Sequence, residues 1–303
     1  MPVRNVAGPN QPPSPPTPDH FSLAGPSARL DPRIHAVRRD IADIALADRV
    51  FAPHYAVPLS HGCLASAVPM RAAPASDAVA VSELLRGEEF AVVDSSGGWA
   101  WGYSRHDRYV GYVPVDALGA ITTPTHIVAT PAALVFTAPD IKSPVVEWLP
   151  MGAQLTATGE AGTFLSLDNG FIHSRHVVPL GERVSDFVEV AARLTGVPYR
   201  WGGRSGDGID CSGLVQLALG FSGIAAARDT DLQATTLGEP IANQASLRRG
   251  DLVFLPGHVG IMADDTHLLH ANAHWMRVVT EPLADVLARQ PEGKGISALR
   301  RLP

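Results

Sequence analysis

The sequence has little excess of charge of either sign. Its 303 residues include 24 Lys and Arg against 30 Asp and Glu, a net charge of -6. Proteins that bind nucleic acid normally carry a basic patch, and no run of Lys or Arg stands out here, so we expect no nucleic-acid partner. No stretch approaches 18 consecutive apolar residues either, so no membrane-spanning helix and no membrane partner are predicted.

The first residues also lack the apolar core of a secretory signal behind Arg4. On this basis we expect a cytoplasmic protein. Residues 1–30 are rich in Pro, Ser and Gly and cannot bury enough apolar surface to offset the entropy of ordering, so a disordered tail is predicted there.

Cysteine is scarce, with only Cys63 and Cys211. Two distant thiols in a reducing compartment rarely form a disulfide, and they are too few for a structural zinc site without histidine. We therefore predict no metal and no cofactor. Either thiol could be catalytic, and the flanking residues must decide. Cys63 lies beside Leu64 in a β-rich region and is expected to be a small packed residue.

Three further regions lie between this tail and residue 182. Residues 31–55 carry apolar residues at helical spacing, which predicts a short docking helix over 32–50 followed by a linker. The segments EEFAVVD, GWAWGYS and YVGYVPV then read as strands. ELLRGEEF is echoed by EWLPMGAQL, and GYVPVDAL by GFIHSRHVVPL. This echo predicts two small β-barrels in tandem, at 56–121 and 122–181.

Residues 182–303 predict an α+β domain. A helix is expected after Ser185 and a second, buried helix over CSGLVQLALGF. The segments LVFLPG, HVGIMA, HLLHANA and RVVT follow as short strands.

Cys211 has the surroundings of a nucleophile. It follows the glycine-rich loop PYRWGGRSGDGID and opens an apolar helix, whose unpaired N–H groups would favour a thiolate and an oxyanion. A buried structural cysteine is the alternative, but the loop favours an exposed elbow.

A thiol nucleophile needs a base, and the base needs an orienting group. A hairpin centred on Asp264 would place His258 and His270 directly opposite each other on one face. His267 and His274 lie nearby, and periodicity alone does not exclude His274.

Together, YRWGGRSGDGIDCSGLVQ, RRGDLVFLPGHVGIM and LLHANAHW resemble the NlpC/P60 family of cysteine peptidases over about residues 183–303. The resemblance implies a papain-like α+β fold, with Cys211 as the nucleophile, His258 as the base and His270 as the orienting residue. The two β-units resemble the bacterial SH3-type domains that often precede this domain.

Members with this layout resemble enzymes of murein peptide recycling, which cleave after γ-D-glutamate and bind a free N-terminal L-alanine. The resemblance implies that Asp210 and Ser212 hold the substrate amine, and that Tyr199 bonds the substrate or the oxyanion. ARDTDLQA resembles the family's Arg–Asp–Ser segment, with Asp229 and Thr230 as binding residues. The first SH3-type domain would close the subsite; its candidates are the aromatic Tyr109 or Tyr112 and the acidic Asp77 or Glu83.

The leading hypothesis is therefore a peptidase acting on small murein peptides, which would be its only expected partner. An exported hydrolase of intact wall, a binding module with an inactive catalytic domain, and an amidase or acyltransferase using the same Cys–His pair remain as rivals. The sequence leaves the oligomeric state open.

Overall fold

The computed structural model describes residues 30–303, apart from the side chain of residue 245. The predicted tail, 1–30, lies outside the described residues except for Leu30. No helix within the described part of the chain is long and apolar enough to cross a membrane.

The docking helix predicted over 32–50 is wrong. The segment instead contains strand β1 (Ile41–Asp43), which pairs in parallel with β2 (His54–Ala56), and a short 3₁₀ helix. Its apolar side chains pack against Trp101 and Tyr103 of the following β-sheet. Tertiary packing has therefore overridden the helical spacing, which is a weak signal in a short segment.

The first β-unit is a seven-stranded antiparallel sheet in the order β5-β4-β8-β7-β6-β3-β9. Its strands are β3 (Leu59–Cys63), β4 (Ala67–Arg71), β5 (Ala80–Leu85), β6 (Glu89–Ser96), β7 (Trp99–Ser104), β8 (Val110–Pro114) and β9 (Leu118–Gly119). Burial alternates along β4 and β8, so one face encloses a core that includes Cys63, Met70 and Phe90. The three sequence-predicted strands are confirmed as β6, β7 and β8.

The second β-unit has a three-stranded and a five-stranded antiparallel sheet. Its strands are β10 (His126–Val128), β11 (Ala132–Phe136), β12 (Val145–Pro150), β13 (Gln154–Leu155), β14 (Gly159–Ala161), β15 (Phe164–Leu167), β16 (Gly170–His173) and β17 (Val177–Pro179). In both units a strand runs into a 3₁₀ helix and a further strand, at β8–β9 and at β16–β17. The echoed glycines Gly87 and Gly152 both have positive φ, which only glycine adopts at low cost.

The third region is the predicted α+β domain. Its elements are α1 (Phe187–Ala192), β18 (Arg204–Ser205), β19 (Gly208–Ile209), α2 (Cys211–Phe221), α3 (Thr230–Thr236), β20 (Glu239–Pro240), β21 (Leu252–Leu255), β22 (His258–Met262), β23 (His267–Asn272), β24 (Arg277–Pro282), α4 (Leu283–Ala288) and β25 (Ala298–Arg301). A six-stranded antiparallel sheet runs in the order β20-β25-β21-β22-β23-β24. Helix α2 is buried against β22 and β23, and this places its first residue beside the two histidine-bearing strands.

Candidate active site

Cys211 is the first residue of α2, so its thiol lies at the helix N-terminus, as predicted. The first turn is drawn tightly against the preceding loop: a Cβ on Gly213 would lie 2.4 Å from the Gly203 carbonyl oxygen. The prediction of an exposed elbow is wrong, since only 6% of Cys211 is exposed. The residue is buried but still lines a cleft.

The thiol is neutral at rest. Burial raises the pKa of Cys211, and the nearby Asp210 charge raises it further. Hydrogen bonds involving the Thr230 hydroxyl, 3.8 Å from Sγ, and the backbone of Val259 and Ser212 act in the opposite direction without reversing the shift. The Val259 contact brings the backbone of β22 to the thiol, one residue after His258.

His258 and His270 are in contact, with His258 Nε2 2.8 Å from His270 Nδ1. They are not directly opposite, as the sequence predicted. Strands β22 and β23 pair Ile261 with Leu269, so the hairpin is centred one residue later and the histidines are diagonal neighbours on one face. The length of the turn moves the centre of the hairpin by one residue from the predicted position. The two imidazole rings still contact each other, because diagonal neighbours on one face lie within reach of aromatic side chains.

Burial, and then the neighbouring His270, lowers the pKa of His258 to about 3. Burial also lowers the pKa of His270. At neutral pH both rings are therefore uncharged, which leaves His258 able to accept a proton. His267 lies 3.0 Å from Asp264 at the exposed turn, and His274 stacks edge-on against Trp275. Neither is part of this pair.

A cavity of about 690 Å³ opens beside Cys211. The first β-unit forms one wall through Val81 and Tyr109. The Tyr109 hydroxyl donates to Asp229 Oδ2 at 2.9 Å, and Thr230, the next residue along the chain, lines the same cleft with its hydroxyl 3.8 Å from Cys211 Sγ. Burial, followed by the Asp229 charge, raises the pKa of Tyr109 well above its ordinary value, so the phenol stays protonated.

Asp210 and Ser212 line the cleft, but their polar atoms are already engaged. The Asp210 carboxylate accepts from Gly202 N at 2.9 Å and Gly213 N at 2.8 Å, and it forms a two-pronged ion pair with the fully buried Arg228. The Ser212 hydroxyl donates to Asp210 Oδ1 at 3.3 Å and accepts from Arg228 at 3.0 Å. The assignment of this pair to a substrate amine stays a prediction. In the structure each carboxylate oxygen of Asp210 already accepts hydrogen bonds from several donors, and the carboxylate caps α2 and fixes the loop.

Three further expectations can be placed. Burial, followed by the Cys211 and Asp210 charges, raises the pKa of Tyr199, so a protonated phenol lies within electrostatic reach of the thiol. Tyr112 contacts Arg38 and does not line the cleft, whereas Tyr109 does. Asp77 is exposed.

Glu83 is buried, but it bonds the nucleophile loop through Arg200 and the backbone of Arg204. It therefore supports the loop and is not among the residues lining the cavity beside Cys211, so its role in closing the subsite stays a prediction.

Several residues of the site were not predicted from the sequence. Arg33 reaches across from the N-terminal segment and bonds Asp229 at 2.7 Å and Asp231 at 2.7 Å. Trp201, 64% exposed, stands at the cleft rim, and its position in the YRWGG segment was its only signal. Glu281 lies 2.9 Å from His270 Nε2. Separation along the chain hides the Arg33 contact, and a lone Glu in a strand carries no signal.

Among residues 30–303 no group of three or more His, Cys, Asp or Glu side chains is placed to hold a metal ion.

Comparisons with known proteins agree with this geometry. Residues 196–290 match the NlpC/P60 family, and residues 70–118 match the bacterial dipeptidyl-peptidase SH3 domain. The chain is 34% identical over 128 residues to "Dipeptidyl-peptidase 6" of Lysinibacillus sphaericus, covering 41% of this chain and 45% of that protein. It is 25% identical to "Gamma-D-glutamyl-L-lysine dipeptidyl-peptidase" of Bacillus cereus, covering 63% of this chain and 66% of the relative.

A crystal structure of an NlpC/P60 family protein from Bacillus cereus superposes with a TM-score of 0.68 at 21% identity, covering 81% of this chain and 100% of that one. This likeness establishes the fold, a papain-like α+β domain preceded by SH3-like β-units. The chain spans less than two thirds of the length of the two curated relatives named above.

Proposed function

Since this chain carries an NlpC/P60 domain behind a bacterial dipeptidyl-peptidase SH3 domain, we propose that it is a cysteine peptidase cleaving the γ-D-glutamyl–diamino acid bond of murein peptides with a free N-terminal L-alanine. A cytoplasmic location, where such free peptides would be taken up, is part of the proposal. The names of the relatives support the substrate class.

The proposed reaction begins from neutral partners. The raised pKa of Cys211 and the lowered pKa of His258 both oppose a thiolate–imidazolium pair at rest. In the proposed reaction the proton therefore moves from the thiol to the imidazole only as the sulfur attacks the carbonyl. N–H groups at the start of α2 and the Tyr199 phenol would bond the oxyanion. The His258 imidazolium then protonates the leaving amine. Water, activated by the same ring, releases the γ-D-glutamyl acid from Cys211.

One observation carries the substrate proposal: a carboxylate, Asp229, lies in the cleft wall beside the nucleophile, held by the first β-unit through Tyr109. Arg33 and Tyr109 both bond its Oδ2 atom. We assign Oδ1 to the substrate ammonium, with the Thr230 hydroxyl beside it. A charge-assisted bond of this kind requires a free amine and excludes an acylated one.

Four substrates test the proposal with purified protein: L-Ala-γ-D-Glu carrying either diaminopimelate or L-lysine, the N-acetylated copy of the better one, and intact sacculi. We expect cleavage of the free peptides alone. Equal cleavage of the acetylated peptide would remove the ammonium subsite from the proposal, and release of fragments from sacculi would favour the wall hydrolase instead. Cell fractionation tests the location.

A further inference from the structure

Beyond the two histidines, the hydrogen-bonded chain continues through a buried carboxylate. Glu281, on β24, is 9% exposed and contacts His270 Nε2 at 2.9 Å through Oε1. The same oxygen accepts a hydrogen bond from Arg289, the residue immediately after α4, at 2.5 Å. A chain of hydrogen-bonding contacts thus leads from His258 through His270 and Glu281 to Arg289.

The charge state of Glu281 follows from its partners. Burial alone would raise its pKa, but hydrogen bonds from Arg289, Trp275 and His270 outweigh burial and lower it. The carboxylate is therefore ionised at neutral pH and can only accept hydrogen bonds. Nε2 of His270 must accordingly carry the proton it donates to Glu281.

This fixes the tautomers of both rings. With Nε2 of the neutral His270 protonated, its Nδ1 is an acceptor, so His258 must donate from Nε2 to it. That leaves Nδ1 of His258 without a proton, and it is the nitrogen available to the thiol. The Asn272 amide nitrogen, 2.7 Å from His270 Nε2, would require the opposite tautomer, but the bond to a carboxylate is the stronger of the two and decides.

We propose that Glu281, held by Arg289, is a positioning residue that sets the tautomer of His270 and thereby makes His258 Nδ1 the base. The inference rests on the proposed function and extends the Cys211–His258–His270 set by a buried ion pair from β24 and the end of α4. Register supports it: β23 pairs Leu268 with Glu281, so Glu281 projects on the diagonal toward His270.

Each ring faces the other, His258 on β22 and His270 on β23. The charged groups that act on them are Glu281 on β24 and Arg289 after α4. Glu281 raises the pKa of both histidines, whereas Arg289 lowers that of His270. The two members of the ion pair therefore act on the rings with opposite sign.

The test uses the pH dependence of Cys211 alkylation by iodoacetamide, followed by mass spectrometry of the Cys211 peptide, in wild type, E281Q and R289Q. We expect the midpoint to move down by about one pH unit in E281Q and up in R289Q, because a removed anion favours loss of a proton and a removed cation opposes it. Asp285→Asn, which removes an exposed carboxylate from α4, is the matched control and should leave the midpoint unchanged.

A second readout is direct. Nitrogen-15 NMR of the histidine rings should show His258 protonated at Nε2 in wild type, and E281Q should lose this single tautomer, with a roughly tenfold to hundredfold fall in kcat. Midpoints that move in the same direction in both variants, or a His258 ring protonated at Nδ1 in wild type, would overturn the inference.

Neither the alkylation midpoint nor the NMR tautomer depends on a substrate. If the peptides of the proposed function are not cleaved but the shifts appear, the positioning role stands and only the substrate proposal fails.

Discussion

The two β-units share a strand–3₁₀–strand plan and yet relate to the active site in different ways. The first lines the cleft with Val81 and Tyr109, whereas none of the residues lining the described cavity comes from the second. The second lies behind the site: Gly152 packs close to Leu217 of α2, and Pro131 approaches Gly206 in the loop before Cys211. The same small fold therefore serves as a substrate wall in one place and as a scaffold in the other.

The two units also differ in how deeply the ion pairs that hold them are buried. The first unit is joined to the nucleophile loop by the buried pair Glu88–Arg204, which is bidentate at 3.0 and 3.1 Å. The second is joined to the first by the partly exposed pair Arg86–Glu147. A buried pair sets geometry and is costly to break, whereas an exposed one contributes little.

The largest loss of activity is expected from removal of the Cys211 thiol. Cys211→Ala should lower kcat/KM for the free peptide by about 10⁴-fold or more, because no other group can form the acyl intermediate. The melting temperature should stay near that of wild type. Residual turnover above background would show that Cys211 is not the nucleophile.

Breaking the buried link of the first unit comes next. Arg204→Met leaves the Glu88 carboxylate buried without its cation, which should cost about 3–5 kcal/mol in the free energy of unfolding. Denaturant unfolding measures this. The double variant Arg204→Met/Glu88→Leu should recover most of the loss, since an apolar pair of similar size replaces the ion pair. A double variant as unstable as the single one would contradict the assigned role of the charge pair.

The subsite is the third target. Asp229→Asn removes the anion proposed to bind the substrate ammonium and should raise KM by roughly 30- to 150-fold, equivalent to about 2–3 kcal/mol for a charged hydrogen bond. Tyr109→Phe, which keeps the ring and deletes the bond to Asp229, should act in the same direction and more weakly. Steady-state kinetics check both, and an unchanged KM in Asp229→Asn would remove the first unit's role as substrate wall.

The smallest effect is expected in the second unit. Glu147→Gln weakens its partly exposed link to Arg86 and should cost no more than about 1 kcal/mol in the free energy of unfolding. It should leave kcat and KM unchanged, because no contact of Glu147 reaches the cleft. A shift in KM comparable to that of Tyr109→Phe would abolish the distinction between the two units.

Much of the site could be predicted because its signals are local. The glycine-rich loop and the apolar run predict the α2 start at Cys211, and alternating residues predict β22 and β23. The exact pairing of His258 and His270 could not be predicted, because turn length moves an antiparallel register without changing composition.

Contacts between residues that are far apart along the chain could not be predicted. Arg228 bonds both carboxylate oxygens of Asp210, whereas Arg33, 196 residues away along the chain, bonds only Oδ2 of Asp229. Which carboxylate is left for a ligand therefore depends on tertiary partners that no local pattern encodes. The prediction of a helix over 32–50 was wrong for the same reason: the apolar residues of this segment pack against a sheet without forming a helix.

The bond between Arg33 and Asp229 has a consequence for biosynthesis. Chains fold from the N-terminus as they leave the ribosome, so the first β-unit and the segment bearing Arg33 can be in place before α2 is synthesised. The reactive thiol then enters a cleft whose wall already exists. An order of synthesis in which the wall precedes the nucleophile limits the time during which Cys211 could attack unrelated peptides.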